Sequence, residues 1–387
     1  MSDFIIKEVN YDIDSELKNI GFDSSYRQKA CEKFKYKNIK IFDLTIPQAN
    51  ILKQTAISVG ADCAVHRETI TAKVEKTDCI LGGSFSQLRK IAQKLKKQPF
   101  SLSKHSEVIE NNLDFKLQPI KIKETVFDFS KSYIVGILNL TQDSFSDGGK
   151  YIEFEAAKKK LLELIDEGAD IIDIGAESTK PFSSPVSDEV QLKKLLPILD
   201  FISKNKIKTP ISIDTRSSNV AQKCVEAGAD IINDVSGGDY DKGMFETAAK
   251  LNWPIIIQHS KGTPESMQIS PTYENLIDEI YMELKNKIDS AQRCGIKNQN
   301  IILDVGIGFG KTKEHNLELL KRIDEFKSLG YPIMTGASRK SFLGKNIEDN
   351  ELKDLYTLAF NTLQEDKKIN FLRVHNVKLH KDFFIFH

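Results

Sequence analysis

The sequence predicts an α/β protein: a (β/α)8 (TIM) barrel over residues 129–387, preceded by a small α+β domain over residues 1–128. Three observations lead there. Eight short apolar runs rich in β-branched residues recur after Phe129, continuous rather than alternating, as suits strands buried on both faces of a parallel sheet. Amphipathic helical patterns fill the intervals. The stretch is also close to the about 250 residues usual for eight βα units.

In order, the runs are Tyr133–Leu138, Ile171–Ile174, Ile211–Ile213, Ile231–Ile232, Pro254–Ile257, Ile301–Leu303, Pro332–Met334 and Phe371–Val374. One intervening helix carries Ala157, Leu161 and Ile165 on a stripe, and another carries Leu192, Leu195, Leu199 and Ile202. Ser187 with Asp188 and Glu189, and Ser218 ahead of Val220, mark helix starts. Gly168, Gly228, Gly295 and Gly330 fall just before the next strand, at the left-handed position after a helix end. A doubly wound open sheet is the rival. Near-equal units and polar residues at nearly every strand end favour closure, because an open sheet gathers its site at one switch point.

The first region has a less regular texture. Pro47–Gly60 reads as a helix, with proline in its first turn and glycine at its end. Ala64–His66 and Thr69–Val74 read as extended, and Asp78–Gly83 as a buried strand ending in a turn. Ser84–Lys97 reads as a helix with Leu88, Ile91 and Leu95 on one stripe. Its lysines (Lys90, Lys94, Lys96, Lys97) read as a solvated face rather than an anion-binding surface. Asn111–Phe127 resembles a segment crossing between the two regions.

Composition narrows the function. Lys+Arg and Asp+Glu both number 55, so the formal net charge is zero, which argues against an electrostatic nucleic-acid binder. Hydrophobic residues at 40% and charged residues at 28% are those of a folded chain. No apolar run approaches the roughly 18 residues of a membrane span, and the opening residues give way at once to charge, unlike a secretory signal. Cys31, Cys63, Cys79, Cys224 and Cys294 form no C-x-x-C pair and read as reduced thiols. A cytoplasmic enzyme is expected.

In a parallel barrel, chemistry sits at the C-terminal strand ends. Here those ends carry Asn139, Asp214–Arg216, Asn233–Asp234, Asp304, Ser338–Ser341 and Arg373–Asn376. One polar strand end is ordinarily a satisfied cap, but so many in phase around one rim point to a site. Other local patterns carry less. Gly306–Thr312 is one residue short of a phosphate-binding P-loop. Asp143 with Asp147 reads as turn-forming rather than metal-binding. His259 and His375 lack a serine or cysteine elbow that would make a hydrolase triad.

Asp214, Asn233 and Asp304 supply acceptors and one amide, suited to the amidine edge of a heterocycle. Lys340, Arg373 and His375, with Thr179 and Lys180 on the second loop, are cations and a hydroxyl suited to a diphosphate. Asn139 offers a hard oxygen for Mg2+ riding on phosphates. The expected ligand is an amino-substituted heterocycle carrying a diphosphate.

The segments bearing these residues resemble dihydropteroate synthase, a sulfonamide target of folate biosynthesis. They are Gly136–Gly149, Gly175–Pro181, Ile213–Thr215, Ile232–Asp234, Gly262–Pro264, Leu303–Lys311, Gly336–Ser341 and Arg373–His375, in family order across the barrel. The resemblance implies a (β/α)8 barrel that joins 6-hydroxymethyl-7,8-dihydropterin diphosphate to p-aminobenzoate, giving 7,8-dihydropteroate and pyrophosphate by an SN1-like route. It implies that Asp214, Asn233, Asp304 and Lys340 hold the pterin, and that Thr179, Arg373 and His375 hold the diphosphate. Phe145, Phe309 and Ser341 would border p-aminobenzoate, with the start of the seventh barrel helix near its carboxylate. Asn139 would ligate Mg2+, the expected cofactor, and Asp147 would close over the reacting centre. Asp214 and Lys340 join Asp147 as the catalytic set, and a homodimer is implied.

The chain departs from the family pattern at Gln142, Ala176, Lys180, Gln258 and Val305, where Pro, Gly, Arg, an apolar residue and Pro are usual. Val377–His387 is short for a last barrel helix, and Phe383, Phe384 and Phe386 are expected to pack on the barrel. Ser58–Val65 with Lys97–Phe100 resembles an extension on some bacterial members, read as a stabilising or interface domain. Two rivals remain. A pterin-binding methyltransferase barrel would not need Thr179, Arg373 and His375 and would bring a cobalamin module, which is not visible. A catalytically silent pterin-binding protein would not need so complete a rim.

Overall fold

The computed structural model describes residues 6–9, 12–140, 150–177, 185–262, 267, 269–344 and 347–384. The chain divides into two compact units, Met1–Lys116 and Leu117–His387.

The first unit runs α1 (Ile13–Asn19), α2 (Arg27–Phe34), β1 (Tyr36–Thr45), α3 (Ile46–Ile57), β2 (Asp62–Val65), β3 (Lys76–Ser84), α4 (Phe85–Leu95) and α5 (Leu102–Asp114). Its strands form an antiparallel sheet in the order β1-β3-β2. Two reciprocal caps fix the strand-to-helix turns. Thr45 pairs with Gln48 and Ser84 with Gln87, so orphan N–H groups at the starts of α3 and α4 find partners. Leu44, Leu52, Leu81, Leu88, Ile91, Leu95 and Ile109 form the core between sheet and helices. Thr69–Val74 is not a strand: a 3-10 turn at Arg67–Thr69 leads into further turns, and Ala72 takes φ 52°. The β-branched residues there lack a partner strand.

The second unit opens with a hairpin, β4 (Ile120–Ile122) and β5 (Thr125–Phe127). The segment from Asn111 to Phe127 is therefore the end of α5 followed by this hairpin. The division of the chain falls between Lys116 and Leu117, and the hairpin belongs with the barrel.

The barrel elements are β6 (Tyr133–Asn139), α6 (Lys150–Asp166), β7 (Ile171–Gly175), α7 (Asp188–Lys204), β8 (Ile211–Asp214), α8 (Ser218–Glu226), β9 (Ile231–Asp234) and α9 (Met244–Leu251). They continue through β10 (Ile255–Gln258), α10 (Leu276–Arg293), β11 (Ile301–Asp304), α11 (Lys313–Arg322), β12 (Ile333–Thr335), α12 (Asn350–Asp366), β13 (Phe371–Val374) and α13 (Val377–Phe384). All eight strands are parallel, and β13 pairs with β6 to close the ring. Each apolar run predicted from sequence is one of these strands. The start of α8 is capped by Ser217, whose side chain accepts from Val220 N, rather than by Ser218. The last helix is short, and Phe384 packs against the barrel core while Phe383 stays exposed.

The hairpin closes the N-terminal mouth. Ile120, Ile122 and Phe127 pack on the first lumen layer, which includes Tyr133, Ile171, Ile231 and Phe371. Phe127 meets Tyr133 edge-on at 4.8 Å and Phe371 at 5.5 Å between ring centroids. The floor is apolar, and the polar strand ends lie at the opposite mouth. Among the described residues no helix is long and apolar enough to cross a membrane.

Candidate active site

Residues of a barrel strand alternate between the helix-facing layer and the lumen. Ile255 and Ile257 belong to the layer beneath the helices, whereas Ile256 faces the lumen with Ile171, Ile231, Ile302 and Phe371. Stepping two residues on from each lumen position reaches Asp173, Asn233, Gln258, Asp304 and Arg373. Asp214 joins them because Ile211 and Ile213 face the helices. Strand periodicity alone turns these polar side chains toward one mouth.

Arg373 organises the acids. Its Nε donates to Asp173 Oδ2 at 2.6 Å, and an Nη donates to Asp214 Oδ2 at 2.9 Å. Asn233 Nδ2 donates to the same Asp173 oxygen at 3.0 Å. Asp173 Oδ1 and Asn233 Oδ1 are buried without a donor among the described residues. Asp304 Oδ1 accepts from Gly306 N at 2.7 Å. Burial pushes the Asp214 carboxyl up to about 7, against the pull of the Arg373 guanidinium. Burial likewise raises Asp304. The mouth thus presents oxygen acceptors whose negative charge is incompletely compensated, a setting that favours N–H donors and positive charge.

Lys340 stands on the loop after β12. Its Nζ donates to Ile307 O and lies 4.1 Å from the Phe309 ring centroid. Burial lowers its ammonium to about 7, with Asp304 and Asp214 opposing the shift. The loop beneath it is tightly drawn. Gly306 has φ +68°, and a Cβ there would lie 1.8 Å from His259 O, so only glycine fits. Lys311 is buried and donates to Gly306 O at 2.9 Å and Phe309 O at 3.0 Å, and its Nζ lies 2.9 Å from His259 Nδ1. It is a clamp on backbone carbonyls, which explains the near-match to a phosphate loop without phosphate chemistry.

His375 corrects one expectation. Burial, with Arg339 and Arg373 nearby, lowers its imidazolium to about 3, so the ring is neutral rather than cationic. Its backbone N–H donates to Ser338 Oγ at 3.1 Å, and Ser338 Oγ lies 2.9 Å from Nδ1. A hydroxyl that donates to Nδ1 while accepting from the backbone N–H leaves Nε2–H as a neutral donor. Next to it, Arg339 forms a bidentate pair with Asp354 on α12, both bonds 2.7 Å, which anchors the loop bearing Lys340.

Two further contacts hold the bases of rim loops. Arg216 pairs with Glu177 through Nε at 3.1 Å and an Nη at 2.7 Å, both side chains buried. Lys194 donates to Leu140 O at 3.0 Å.

Asp214, Asn233, Asp304 and Arg373 thus share the mouth, with Lys340 and Phe309 along the loops. His375 follows at the end of β13. Asn139 ends β6, half-buried, in register with Gly175 of β7. Ser341 is exposed in a 3-10 turn, Ser341–Leu343, and the full helix α12 begins only at Asn350. Phe145, Asp147 and Thr179, like Gln142 and Lys180, lie outside the described residues. Asp173, a site residue absent from the sequence expectations, sits inside the apolar run Ile171–Ile174. A carboxylate interrupting such a run at a lumen position was the available signal. Among the described residues no three His, Cys, Asp or Glu side chains gather as a metal site. Asn139 alone offers one neutral oxygen, which fits Mg2+ only if phosphate oxygens and water complete the shell.

Comparison with known proteins agrees with this geometry. A family described as pterin binding enzyme matches residues 135–375. A dihydropteroate synthase of Clostridium beijerinckii is 43% identical over 250 residues, covering 64% of this chain and 90% of the relative. A probable bifunctional folylpolyglutamate synthase/dihydropteroate synthase of Halobacterium salinarum is 34% identical over 330 residues, 85% of this chain but 40% of that protein. Among solved structures, Yersinia pestis dihydropteroate synthase with a sulfonamide drug superposes with a TM-score of 0.65 at 31% identity, covering 70% of this chain and 97% of that one. The Xanthomonas albilineans enzyme in complex with 7,8-dihydropteroate gives 0.62 at 30%, with the same coverage. From the lumen-facing acids to the match across the whole barrel, the chain belongs to the dihydropteroate synthase family of pterin-binding enzymes.

Proposed function

We propose that the barrel condenses 6-hydroxymethyl-7,8-dihydropterin diphosphate with p-aminobenzoate, releasing pyrophosphate and 7,8-dihydropteroate. The observation that carries this reading is the gathering of Asp214, Asn233 and Asp304 around Arg373 at one barrel mouth. The amidine edge of the pterin supplies N–H donors to the acids. Asp304 keeps one oxygen free of the Gly306 bond for it, and Asn233 stands beside it with its Nδ2 on Asp173.

Chemistry then needs no protein nucleophile. The bond from the pterin methylene to the diphosphate oxygen breaks, and the electron pair leaves with the diphosphate. The cation left on the methylene is delocalised into the ring and favoured by the field of Asp214 and Asp304, a preorganised term of the kind that dominates many enzymes. The arylamine nitrogen attacks the methylene and loses a proton to solvent. It is neutral at pH 7, so positioning matters more than activation. Arg373 uses Nε and one Nη on Asp173 and Asp214, and the remaining Nη is directed to the diphosphate. Thr179 and neutral His375 add hydrogen bonds there. Lys340 sits between ring and diphosphate, and Phe309, Phe145 and Ser341 border p-aminobenzoate. Asp147 closes over the centre, excluding water that would capture the cation. Asn139 would hold Mg2+, whose charge would offset that of the departing diphosphate. The assembly is a homodimer, tested by sedimentation.

The reading is tested by mixing the diphosphorylated dihydropterin, p-aminobenzoate and Mg2+ with the full chain and following pyrophosphate. Release dependent on p-aminobenzoate is expected, and none above background would refute the reading. Omitting Mg2+ should depress the rate.

A further inference from the structure

We propose that Gln258 is a specificity-determining residue, whose amide oxygen takes the second hydrogen of the exocyclic amine on the heterocycle. The proposal rests on the pterin reading above and deepens it. Gln258 ends β10 in the lumen phase set by Ile256, and it is only 4% exposed. Its Nε2 donates to Val235 O at 3.1 Å. A carbonyl can only accept, so this bond fixes which end of the amide faces which way. The oxygen is therefore turned away from Val235. It accepts no hydrogen bond from the described residues, yet it is not sealed in like Asp173 Oδ1 or Asn233 Oδ1.

Its place in the ring gives the chemistry. Gln258 is the register partner of Asp304. Its strand lies between β9, which carries Asn233, and β11, which carries Asp304. A carboxylate in fork geometry takes the ring N–H and one amine hydrogen of an amidine edge. The amine's other hydrogen points aside, and leaving it unpaired in a dry pocket is costly. An oriented, unpaired carbonyl one strand away from the fork is the acceptor it needs. An aliphatic side chain there would fill space without reading the amine.

The test is calorimetry on the full chain with 6-hydroxymethylpterin and its 2-methylamino counterpart. For wild type, the methylamino ligand is expected to bind more weakly, because its methyl displaces the hydrogen that Gln258 accepts. Gln258→Leu should weaken the amino ligand about tenfold, the weight of one neutral hydrogen bond. It should leave the methylamino ligand no weaker, so that discrimination collapses. The p-aminobenzoate KM should not move. Equal changes for both ligands, or no change in either, would overturn the proposal. If Gln258→Leu fails to fold, Gln258→Met is measured the same way, and equal wild-type affinity for both ligands overturns it without any variant. Wild type that binds neither ligand would defeat the parent reading, whereas normal binding with unaltered discrimination in the variants defeats only this one.

Discussion

Nε of Arg373 lies 2.6 Å from Oδ2 of Asp173, tying the last barrel strand to the second across β6. Asp173 is fully buried, so its charge has no solvent to fall back on. Removing one partner of a buried pair commonly costs about 3–5 kcal/mol because the other charge is left uncompensated. Asp173→Ala should lower stability by about that amount in urea titrations. Asp173→Asn keeps the shape and the bond to Arg373 and should lose less, while lowering kcat/KM for the pterin diphosphate. Unchanged stability for Asp173→Ala would show that the pair is not a strut.

Asp214 gives a pH signature. Its carboxyl is raised to about 7, so it is neutral in acid and ionised above neutrality. The cationic reaction centre favours the ionised form. Steady-state kcat/KM should therefore climb as pH rises toward 7 and level off above it, and Asp214→Asn should be slow and flat over that range. The stability effect has the opposite sign. A folded value above the unfolded one stabilises the fold at low pH, and this contribution is lost as pH rises through about 7. A profile in Asp214→Asn with the wild-type inflection would assign the titration to another group.

His375 should stay neutral far into acid. Its imidazolium is lowered to about 3, so its contribution to stability is present above the ordinary 6.5 and is lost as pH falls toward 3. Nitrogen-15 spectra should show a bare Nδ1 and a protonated Nε2 throughout the neutral range. A ring that titrates near its ordinary value would mean that the Ser338 bond does not hold the tautomer.

Phe127→Ala should cost about 3–5 kcal/mol, as is usual for a fully buried aromatic. It lies at the floor, far along the strands from the acids, so kcat should change little in the folded fraction. Thermal unfolding with parallel kinetics checks both halves of that expectation.

Much of the barrel was legible because each strand needs only a short run of β-branched residues to be recognised. The rim was legible because Asp214, Asn233, Asp304 and Arg373 stand at the ends of those runs. Asp173 was not, since a lone carboxylate inside Ile171–Ile174 is outweighed by its neighbours until strand phase places it in the lumen. Lys311 was rightly set aside as a phosphate ligand, since the glycine run before it is one residue short of the motif, but its actual role was not legible. Only the fold shows its ammonium turned inward onto Gly306 and Phe309 carbonyls. His375 misled: residue type suggests a cation, but burial among arginines removes the charge. In the first unit, β1 and α5 escaped notice although β1 alternates as a half-buried strand does and Leu102, Ser106, Ile109 and Leu113 share one face of α5. Thr69–Val74 has strand-like composition but no neighbour to pair with.

The apolar stopper made by Ile120, Ile122 and Phe127 decides where this polypeptide can be trimmed. A version started at Leu117 carries its own bung, whereas one started at Phe129 leaves Tyr133, Ile171, Ile231 and Phe371 open to water at the base. Such a leaking cylinder would invite self-association through its underside, so anyone seeking a minimal catalyst should keep the dozen residues that look, on paper, like mere tether.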